Sequence, residues 1–493
     1  MDDAVQWLEW SGDAFARARA EGIPVLLALD TRWCPWSAAM VRDTYADPAV
    51  VDLVRERFVP ICVDADARPD INDRYNLGGW PTTAFLTPDG LLLGGETYVS
   101  AERMRELLVR VSEAFRTRRR EISARAHQTE RRRAMGPVDA EPDAAVAGWV
   151  ARQLAEQFDP EHGGFGAAPK RVHPAALELA SVRHQEGDDT LAAIVPRTLD
   201  AIAWGGLYDP VDGGAFRYCA GSDWSEPSVE KLLDVNAAVL RLLVAGDERH
   251  HERAVHLIGY VRRTLVDDPK TGGFYASQQA DATYYGVMSG PERHALDPPS
   301  VDRTIYADGN ATMAAAFTRA ALALSDTSLL AFAATTMERV VLDTYERGGG
   351  IAHQASEQTS GVRGLLVDQV RASTALLDLY AATERDAYLD MAQELMRYAT
   401  RALWDGATGG GFVDRVSKDD DVGLLREPLR PFGPNCEAAR ALARLARHAG
   451  NPEYRERAVS ALASQNKVAR EHGIDAAVYA LALRELSGSH SDP

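Results

Sequence analysis

Cysteine is scarce in this chain. Only Cys34, Cys62, Cys219 and Cys436 are present, and no two are spaced as a C-x-x-C pair. That speaks against a disulfide framework and against a cysteine-rich zinc site. Metal-ligating histidines are scarce too: His250 and His251 are adjacent and lack a third ligand at fixed spacing, so neither a metal nor another cofactor is expected. Basic residues are outnumbered, 54 Lys and Arg against 72 Asp and Glu, for a formal net charge of -18. A surface of that sign repels phosphate backbones and disfavours nucleic-acid partners. No long apolar run is present, and the opening Met1-Asp2-Asp3-Ala4 lacks the basic and apolar segments of a signal peptide. The expectation is a cytoplasmic protein with no membrane partner. What remains is ordinary for globular domains: 46% hydrophobic and 26% charged residues over 493 positions, enough chain for more than one core.

The first hundred residues read as a small α/β unit. Ile23 to Asp30 is an apolar run of strand length, as expected for a strand buried on both faces, and Val59 to Val63 is a second. Between them lie helical stretches from Trp36 to Arg42 and from Pro48 to Phe58. Ala84-Phe85-Leu86-Thr87 runs into a Pro88-Asp89-Gly90 turn and a return strand from Leu91, and Ala101 to Arg119 closes the unit as a helix. Strand, helix, strand, hairpin, helix is the order of a thioredoxin-like fold. Its chemistry would sit at Trp33-Cys34-Pro35-Trp36-Ser37, where a cysteine at a helix start meets unpaired backbone N–H groups that favour thiolate. Pro81, in Trp80-Pro81-Thr82, is the expected cis proline facing that thiol. Trp33, Trp36 and Trp80 are candidates to line the groove beside it. Cys62, inside a buried-type strand, reads as core.

These motifs, with Asp47-Pro48, Arg68-Pro69-Asp70-Ile71 and the unbroken stretch Gly78 to Gly90, resemble the thioredoxin-domain proteins of the spermatogenesis-associated protein 20 type. In that family the thiol motif is usually C-H-W-C-H. Here Pro35 stands where a histidine is usual and Ser37 replaces the second cysteine, so the C-x-x-S site cannot release a mixed disulfide with its own resolving thiol. Cys34 is open to two readings, a retained monothiol and an inherited packing position.

A basic run follows, with Arg116, Arg118, Arg119, Arg120, Arg125, Arg131, Arg132 and Arg133. It reads as a solvated connector, since no aromatic residues interleave it. The remainder is punctuated by glycine clusters at 163–164, 213–214, 272–273, 348–350 and 409–411. Between and after them lie five pairs of Ala- and Leu-rich helical segments, at about 172–186 with 189–205, 227–247 with 249–266, 304–325 with 327–343, 362–384 with 386–403, and 434–449 with 452–468. One helix is left over at each end, at about 143–158 and 472–487. If the leftovers pair, six hairpins close into an α/α toroid rather than an open solenoid. The resemblance implies the same: Gly164-Phe165-Gly166 with Lys170 and His173-Pro174, Gly205-Gly206-Leu207-Tyr208-Asp209, Arg217-Tyr218, Trp224, Glu230-Lys231 and Ala280-Asp281 are similar to the family's stretch, which implies a toroid related to glycoside hydrolases and sugar epimerases. The expected organisation is a thioredoxin-like domain over 1–115, a connector over 116–142 and an (α/α)6 toroid over 143–493.

In such a ring every glycine loop would lead into the N-terminus of an inner helix, with the loops gathered at one rim and their glycines open to close approach by a ligand. Asp209, Glu230 and Asp281 are the candidate catalytic carboxylates there, beside Cys34, Ser37 and Pro81 at the thiol site. Lys170, His173, Tyr208, Arg217, Tyr218, Trp224, Lys231, Asp308 and Asp368 are candidate ligand contacts. Glu226, Tyr306, Asn310, Asn435 and Glu437 belong to the same loops and first helical turns. Carboxylates with aromatic platforms suit a saccharide. Each has a structural alternative, for example a turn cap at Asp209 and Asp281 or a helix-start charge at Glu230. Ser228, Pro210 and Phe216 stand where the family commonly has histidines, and Asp234-Val235 where Tyr-Asp is usual. Three functions stay open: a toroid that binds or modifies a saccharide-like small molecule, a monothiol redox enzyme working with a low-molecular-weight thiol, and a binding or scaffold protein without turnover.

Overall fold

The computed structural model describes residues 4–130, 139–354 and 362–488. The chain divides into two compact units: one holds Met1–Gly136 and Arg415–Leu429, the other Pro137–Asp414 and Arg430–Pro493.

The first unit is built on a four-stranded sheet in the order β2-β1-β3-β4, from β1 (Val25–Asp30), β2 (Val59–Asp64), β3 (Thr82–Leu86) and β4 (Leu92–Glu96). β2 runs parallel to β1, while β3 is antiparallel to both β1 and β4. Alternation along the strands feeds two cores. Val25, Leu27, Leu29, Ile61 and Leu86 pack on one face with Phe15 and Tyr75, and Leu26, Ala28 and Phe85 pack on the other with Phe58 and Leu108. Helices α1 (Gly12–Glu21), α2 (Pro35–Ala39), α3 (Pro48–Arg57), α4 (Pro69–Tyr75) and α5 (Ala101–Glu130) cover it. This is a thioredoxin-like fold. Of the basic run, residues 131–133 and the side chains of Arg119, Arg120 and Arg125 lie outside the described residues.

One strap of this unit comes from far along the chain. Val422, Leu424 and Leu425 are buried in the α4 side of the sheet's core. The Tyr75 hydroxyl accepts from the Leu424 N–H at 2.8 Å and donates to the Gly90 carbonyl at 2.6 Å. Arg74 donates to the carbonyls of Leu424 and Glu427, both at 2.7 Å. Gly90 and Gly423 are both left-handed, and a Cβ on Gly90 would lie 2.7 Å from the Gly423 Cα, so only glycine permits this approach.

The second unit is an (α/α)6 toroid. Its helices are α6 (Ala145–Gln157), α7 (Pro174–Gln185), α8 (Ile194–Trp204), α9 (Leu233–Leu243), α10 (Glu248–Tyr260), the short α11 (Ala282–Gly286) and α12 (Gly290–Arg293), α13 (Ala307–Leu324), α14 (Thr327–Thr344), α15 (Leu366–Thr383), α16 (Asp386–Ala402), α17 (Phe432–Ala449), α18 (Pro452–Ala463) and α19 (Ala477–Ser487). α7, α9, α13, α15, α17 and α19 touch in sequence, and α19 returns to α7, which closes the inner ring. The leftover first and last helices, α6 and α19, do pair.

The glycine loops have a repeated construction. In each, the residue before an acidic side chain bridges back to the residue after the glycines or to its neighbour, as Phe158 to Phe165, Tyr208 to Ala215, Val266 to Phe274, Tyr345 to Ile351 and Trp404 to Phe412. Four inner helices then clamp the returning strand with one side-chain amide. Asn236, Asn310, Gln369 and Asn435 each accept from the N–H and donate to the C=O of Ala215, Phe274, Ile351 and Phe412, and donate also to the carbonyl four residues earlier, that of the residue just before their own helix. All four amides are fully buried, so each satisfies backbone groups that would otherwise be stranded in the interior.

Candidate functional site

Three of the loop glycines serve packing. A Cβ on Gly163 would lie 2.7 Å from the Arg197 carbonyl oxygen, on Gly213 2.6 Å from that of His256, and on Gly272 2.8 Å from the Thr336 backbone. In each case the neighbour belongs to an outer helix. At these three positions the absent side chain makes room for the fold itself.

Several candidate ligand residues are consumed in the same loops. Lys170 is fully buried and its Nζ donates to Asp159 and to the Gly166 carbonyl, both at 2.7 Å. Lys231 repeats that arrangement with Asp209 and the Gly213 carbonyl, again at 2.7 Å, inside a cage of the Phe216, Tyr260 and Tyr285 rings. Asp209 has no exposed surface and also receives Arg293 Nη1 on both oxygens, at 2.9 and 2.8 Å. Tyr208 donates to the Arg253 carbonyl, and Trp224, fully enclosed, donates to that of Gly163 at 3.2 Å. Asp281 caps α11 through the N–H groups of Thr283 and Tyr284. Asp209, Lys231, Lys170, Tyr208 and Trp224 thus have their polar groups engaged within the fold, and Asp281 Oδ1 is engaged as a helix cap.

The mouth is formed by other side chains. Residues in the first two turns of neighbouring inner helices meet: Asp308, second in α13, receives Arg371 Nη1, from the sixth position of α15, at 3.0 Å, and Arg371 reaches Glu437, sixth in α17, at 3.5 Å. Asp378 and Arg444, both thirteenth in their helices, pair at 2.7 Å. The inner helices are therefore parallel, and their N-termini open at the same rim. Asp234 in the first turn of α9 joins this group, being solvent-accessible while the charges of Arg371, Asp308 and Arg217 all act on it. Acidic residues in a first turn are favoured by the helix dipole.

At the centre lies His353, two residues beyond Ile351. Its Nδ1 is 2.9 Å from Asp368 Oδ1 and 3.9 Å from Asp308 Oδ1, and its ring stacks on Tyr306 at 5.0 Å. The two carboxyls are driven apart. Burial raises the pKa of Asp368 in spite of His353, whereas at Asp308 the neighbouring His353 and Arg371 overcome burial and lower it. Asp368 Oδ2 is buried with no hydrogen-bond partner among the described residues. Asp308, His353 and Asp368 offer three donor atoms within 4.8 Å, a geometry able to hold a cation. The short Nδ1 to Oδ1 contact and the guanidinium already on Asp308 fit a hydrogen-bonded acid–base group better.

Glu230 sits near this rim, almost fully buried, with Arg217 Nη1 at 3.1 Å and the Ser228 hydroxyl 2.9 Å from both its oxygens. Arg217 and Arg171 flank the Tyr218 ring. His173, at the start of α7, bonds Asp475 at 2.9 Å, and that contact heads the causes lowering the Asp475 pKa. The structure thus places Asp308, Asp368 and Glu437 in one cluster with His353, Arg371 and Asp234, three residues the sequence did not single out as candidate contacts. Their signal is positional. Counting from the glycine clusters, His353 occupies the same offset as Arg217, and Asp234 and Asp308 both stand two residues before a clamping amide.

Deeper in the ring the sign reverses. Arg440 donates to Glu178 at 2.6 Å and contacts Glu485 at 3.2 Å. Burial resists ionisation of Glu178, but Arg440, Arg241 and Arg319 outweigh it and hold its pKa at about 2. A carboxyl depressed in the fold contributes fully above its ordinary 4.5 and loses that contribution as pH falls toward 2. Between about pH 5 and pH 2.5 the native chain is expected to lose ~2 kcal/mol more than Glu178→Gln, read by urea denaturation at each pH. Parallel curves for the two proteins would refute this.

At the thiol site Cys34 is buried, and its Sγ donates to the Trp80 carbonyl at 3.4 Å. The Trp80–Pro81 bond is cis. Trp33 donates to Asp66 and Trp80 to Asn72, leaving Trp36 as the exposed member of the three, paired with Tyr98. Ser37 lies below, close to Asp30, whose pKa burial lifts to about 6. Burial likewise lifts the Cys62 thiol to about 12.

Residues 1–133 match the family model described as "Protein of unknown function, DUF255", a thioredoxin-like family. The chain is 28% identical to spermatogenesis-associated protein 20 of Homo sapiens over 309 residues, which is 56% of this chain and 39% of that protein. It is 27% identical over 310 residues to an uncharacterized protein of Caenorhabditis elegans, 57% of this chain and 42% of that one. The match thus spans about two-fifths of the length of these curated relatives. Among solved structures, cellobiose 2-epimerase from Spirochaeta thermophila superposes with a TM-score of 0.54 at 15% identity, over 70% of this chain and 97% of that one. D-mannose isomerase gives 0.54 at 13%, with the same coverage, and a sugar epimerase from a ruminal bacterium gives 0.51 at 13%, over 65% and 86%. These likenesses establish the toroid. Among the described residues no helix is long and apolar enough to cross a membrane.

Proposed function

We propose that this chain, a thioredoxin-like unit of the spermatogenesis-associated protein 20 type joined to an epimerase-like toroid, binds a saccharide in the toroid's rim and performs acid–base chemistry on it. The observation that supports this most is the convergence of Asp308, His353, Asp368 and Arg371, from one loop and two inner helices, in a ring whose fold is shared with sugar epimerases and an isomerase. Asp308 is the member open to the lumen and meets the ligand. His353 and Asp368 stand behind it and hold the proton, Asp368 as the carboxyl whose protonated form is favoured and Asp308 as the one whose charge is favoured. Arg371 orients a hydroxyl or carbonyl oxygen, and Glu437 and Asp234 accept from sugar hydroxyls. The thiol site is read as scaffold, because Cys34 is enclosed and hydrogen-bonded and no neighbouring cysteine can resolve a disulfide on it.

The test needs no foreknowledge of the sugar. A panel of aldoses and disaccharides incubated with the full chain in heavy water is expected to show deuterium entering one sugar at carbon. Asp308→Asn and His353→Gln should each slow that exchange by about 10²-fold or more. Exchange unchanged in both variants, or no saccharide bound or labelled by the native chain, would remove the proposal.

A further inference from the structure

Below the acidic rim, the ring holds more guanidinium than carboxylate. Arg241, Arg319, Arg440 and Arg444 project inward from α9, α13 and α17, against Glu178, Asp378 and Glu485. Each carboxylate is already engaged: Glu178 and Glu485 by Arg440, and Asp378 by Arg444. Arg241 reaches Glu178 only at 3.9 Å. Arg319 is left over. It makes no ion pair or hydrogen bond among the described residues, yet charges from four other inner helices act on it: Arg241 on α9, Glu178 on α7, Asp378 on α15 and Arg440 on α17. Arg319 is thirteenth in α13, level with Asp378 and Arg444, the thirteenth residues of α15 and α17. Glu178, Arg241 and Arg440 still keep about a quarter to a third of their side-chain surface open, so this layer is not a sealed core.

A half-buried guanidinium beside a second one, whose nearest carboxylates Glu178 and Asp378 are each paired with another arginine, is short of counter-charge. Burial comes first among the causes that lower the Arg319 pKa, and the Arg241 charge second. Glu178 and Asp378 offset that cost only in part, since Asp378 at the same helical level is paired with Arg444 and Glu178 with Arg440. From Asp308 to Arg319 is eleven residues of α13, about 16 Å of helix, and a long arginine leaning toward the N-terminus shortens the gap.

We propose that this layer is an anion subsite and that Arg319, with Arg241 beside it, receives a phosphate or carboxylate carried by the ligand. Resting on the saccharide reading of the rim, this narrows the ligand to a charged saccharide, its neutral portion among the carboxylates and its anionic group below. Phosphate suits the pair of guanidiniums through parallel N–H···O bonds.

The probe is inorganic phosphate on the full chain, read by calorimetry and by thermal melting, with native, Arg319→Met, Arg241→Met and the remote control Arg249→Met. Native and control chains are expected to bind phosphate and melt higher in its presence. Each lumen variant should bind about tenfold more weakly or worse. In phosphate-free buffer Arg319→Met is expected to melt higher than the native chain, because it removes an uncompensated charge, and this rules out a merely structural role for the guanidinium. Phosphate bound equally by all four proteins, no phosphate bound by the native chain, or a lower melting point for Arg319→Met in phosphate-free buffer would each overturn the subsite. Glucose, glucose 6-phosphate and glucuronate then separate the two proposals and the two anions. Glucose bound as well as either charged sugar leaves the rim proposal standing and ends this one. Phosphate bound at Arg319 with no sugar bound does the reverse. Preference for the phosphosugar or for the uronate names the anion.

Discussion

Asp209→Ala is expected to destabilise the toroid by about 3–5 kcal/mol, because it strips the counter-ion from two cations that have no route to water. Lys231 and Arg293 are essentially unexposed, and Asp209 pairs with Lys231 at 2.7 Å and with Arg293 at 2.8 Å. Arg293 keeps Asp212 at 3.0 Å and two backbone carbonyls, and Lys231 keeps the Gly213 carbonyl, so the loss falls short of two bare charges. The measurement is the urea midpoint followed by tryptophan fluorescence. A catalytic Asp209 would give the opposite pattern, a chain as stable as native with lost turnover. A change under about 1 kcal/mol would refute the structural assignment.

The second large effect is expected from Asn310→Ala. Its amide makes three hydrogen bonds, accepting from the Phe274 N–H at 2.7 Å and donating to the carbonyls of Phe274 and Tyr306 at 3.0 and 2.8 Å. Truncation strands the Phe274 N–H beside a fully buried ring and leaves a cavity, which together cost about 3–4 kcal/mol. Asn435→Ala, which breaks the equivalent clamp on Phe412, is expected to cost a similar amount. Equal melting of native and variant chains would show that the repeated amide is incidental to the loop. The same pair also tests whether the hairpins unfold together: a single transition in both variants is expected from a closed ring, in which no repeat is terminal.

The architecture was legible because it rests on periodicity. Helical segments expected at 304–325 and 327–343 appear as Ala307–Leu324 and Thr327–Thr344, and the unpaired helices at the two ends implied closure. The thioredoxin-like order was likewise readable from two doubly buried strands and the Trp80-Pro81 turn. The site was less legible, since residue type does not reveal whether a partner is within reach. Lys170 and Lys231 look alike available in sequence, yet each is answered by an aspartate, eleven and twenty-two positions earlier, and by a loop carbonyl. The glycines invited a ligand reading, whereas what approaches Gly163, Gly213 and Gly272 is the backbone of an outer helix. His353 was missed because it follows a glycine triplet without any motif of its own, and Arg371 because a lone arginine within a helix ordinarily reads as solvent-facing.

The strap at Arg415–Leu429 also bears on biosynthesis. A ribosome delivers the four strands of the first unit early, but the segment that seals Tyr75 and fills the adjoining hydrophobic wall emerges more than three hundred residues later. Throughout that interval the nascent sheet presents an apolar flank and two unanswered arginine donors at Arg74. Its last cooperative step therefore waits on translation of the toroid, and a fragment ending near residue 136 would keep that flank bare.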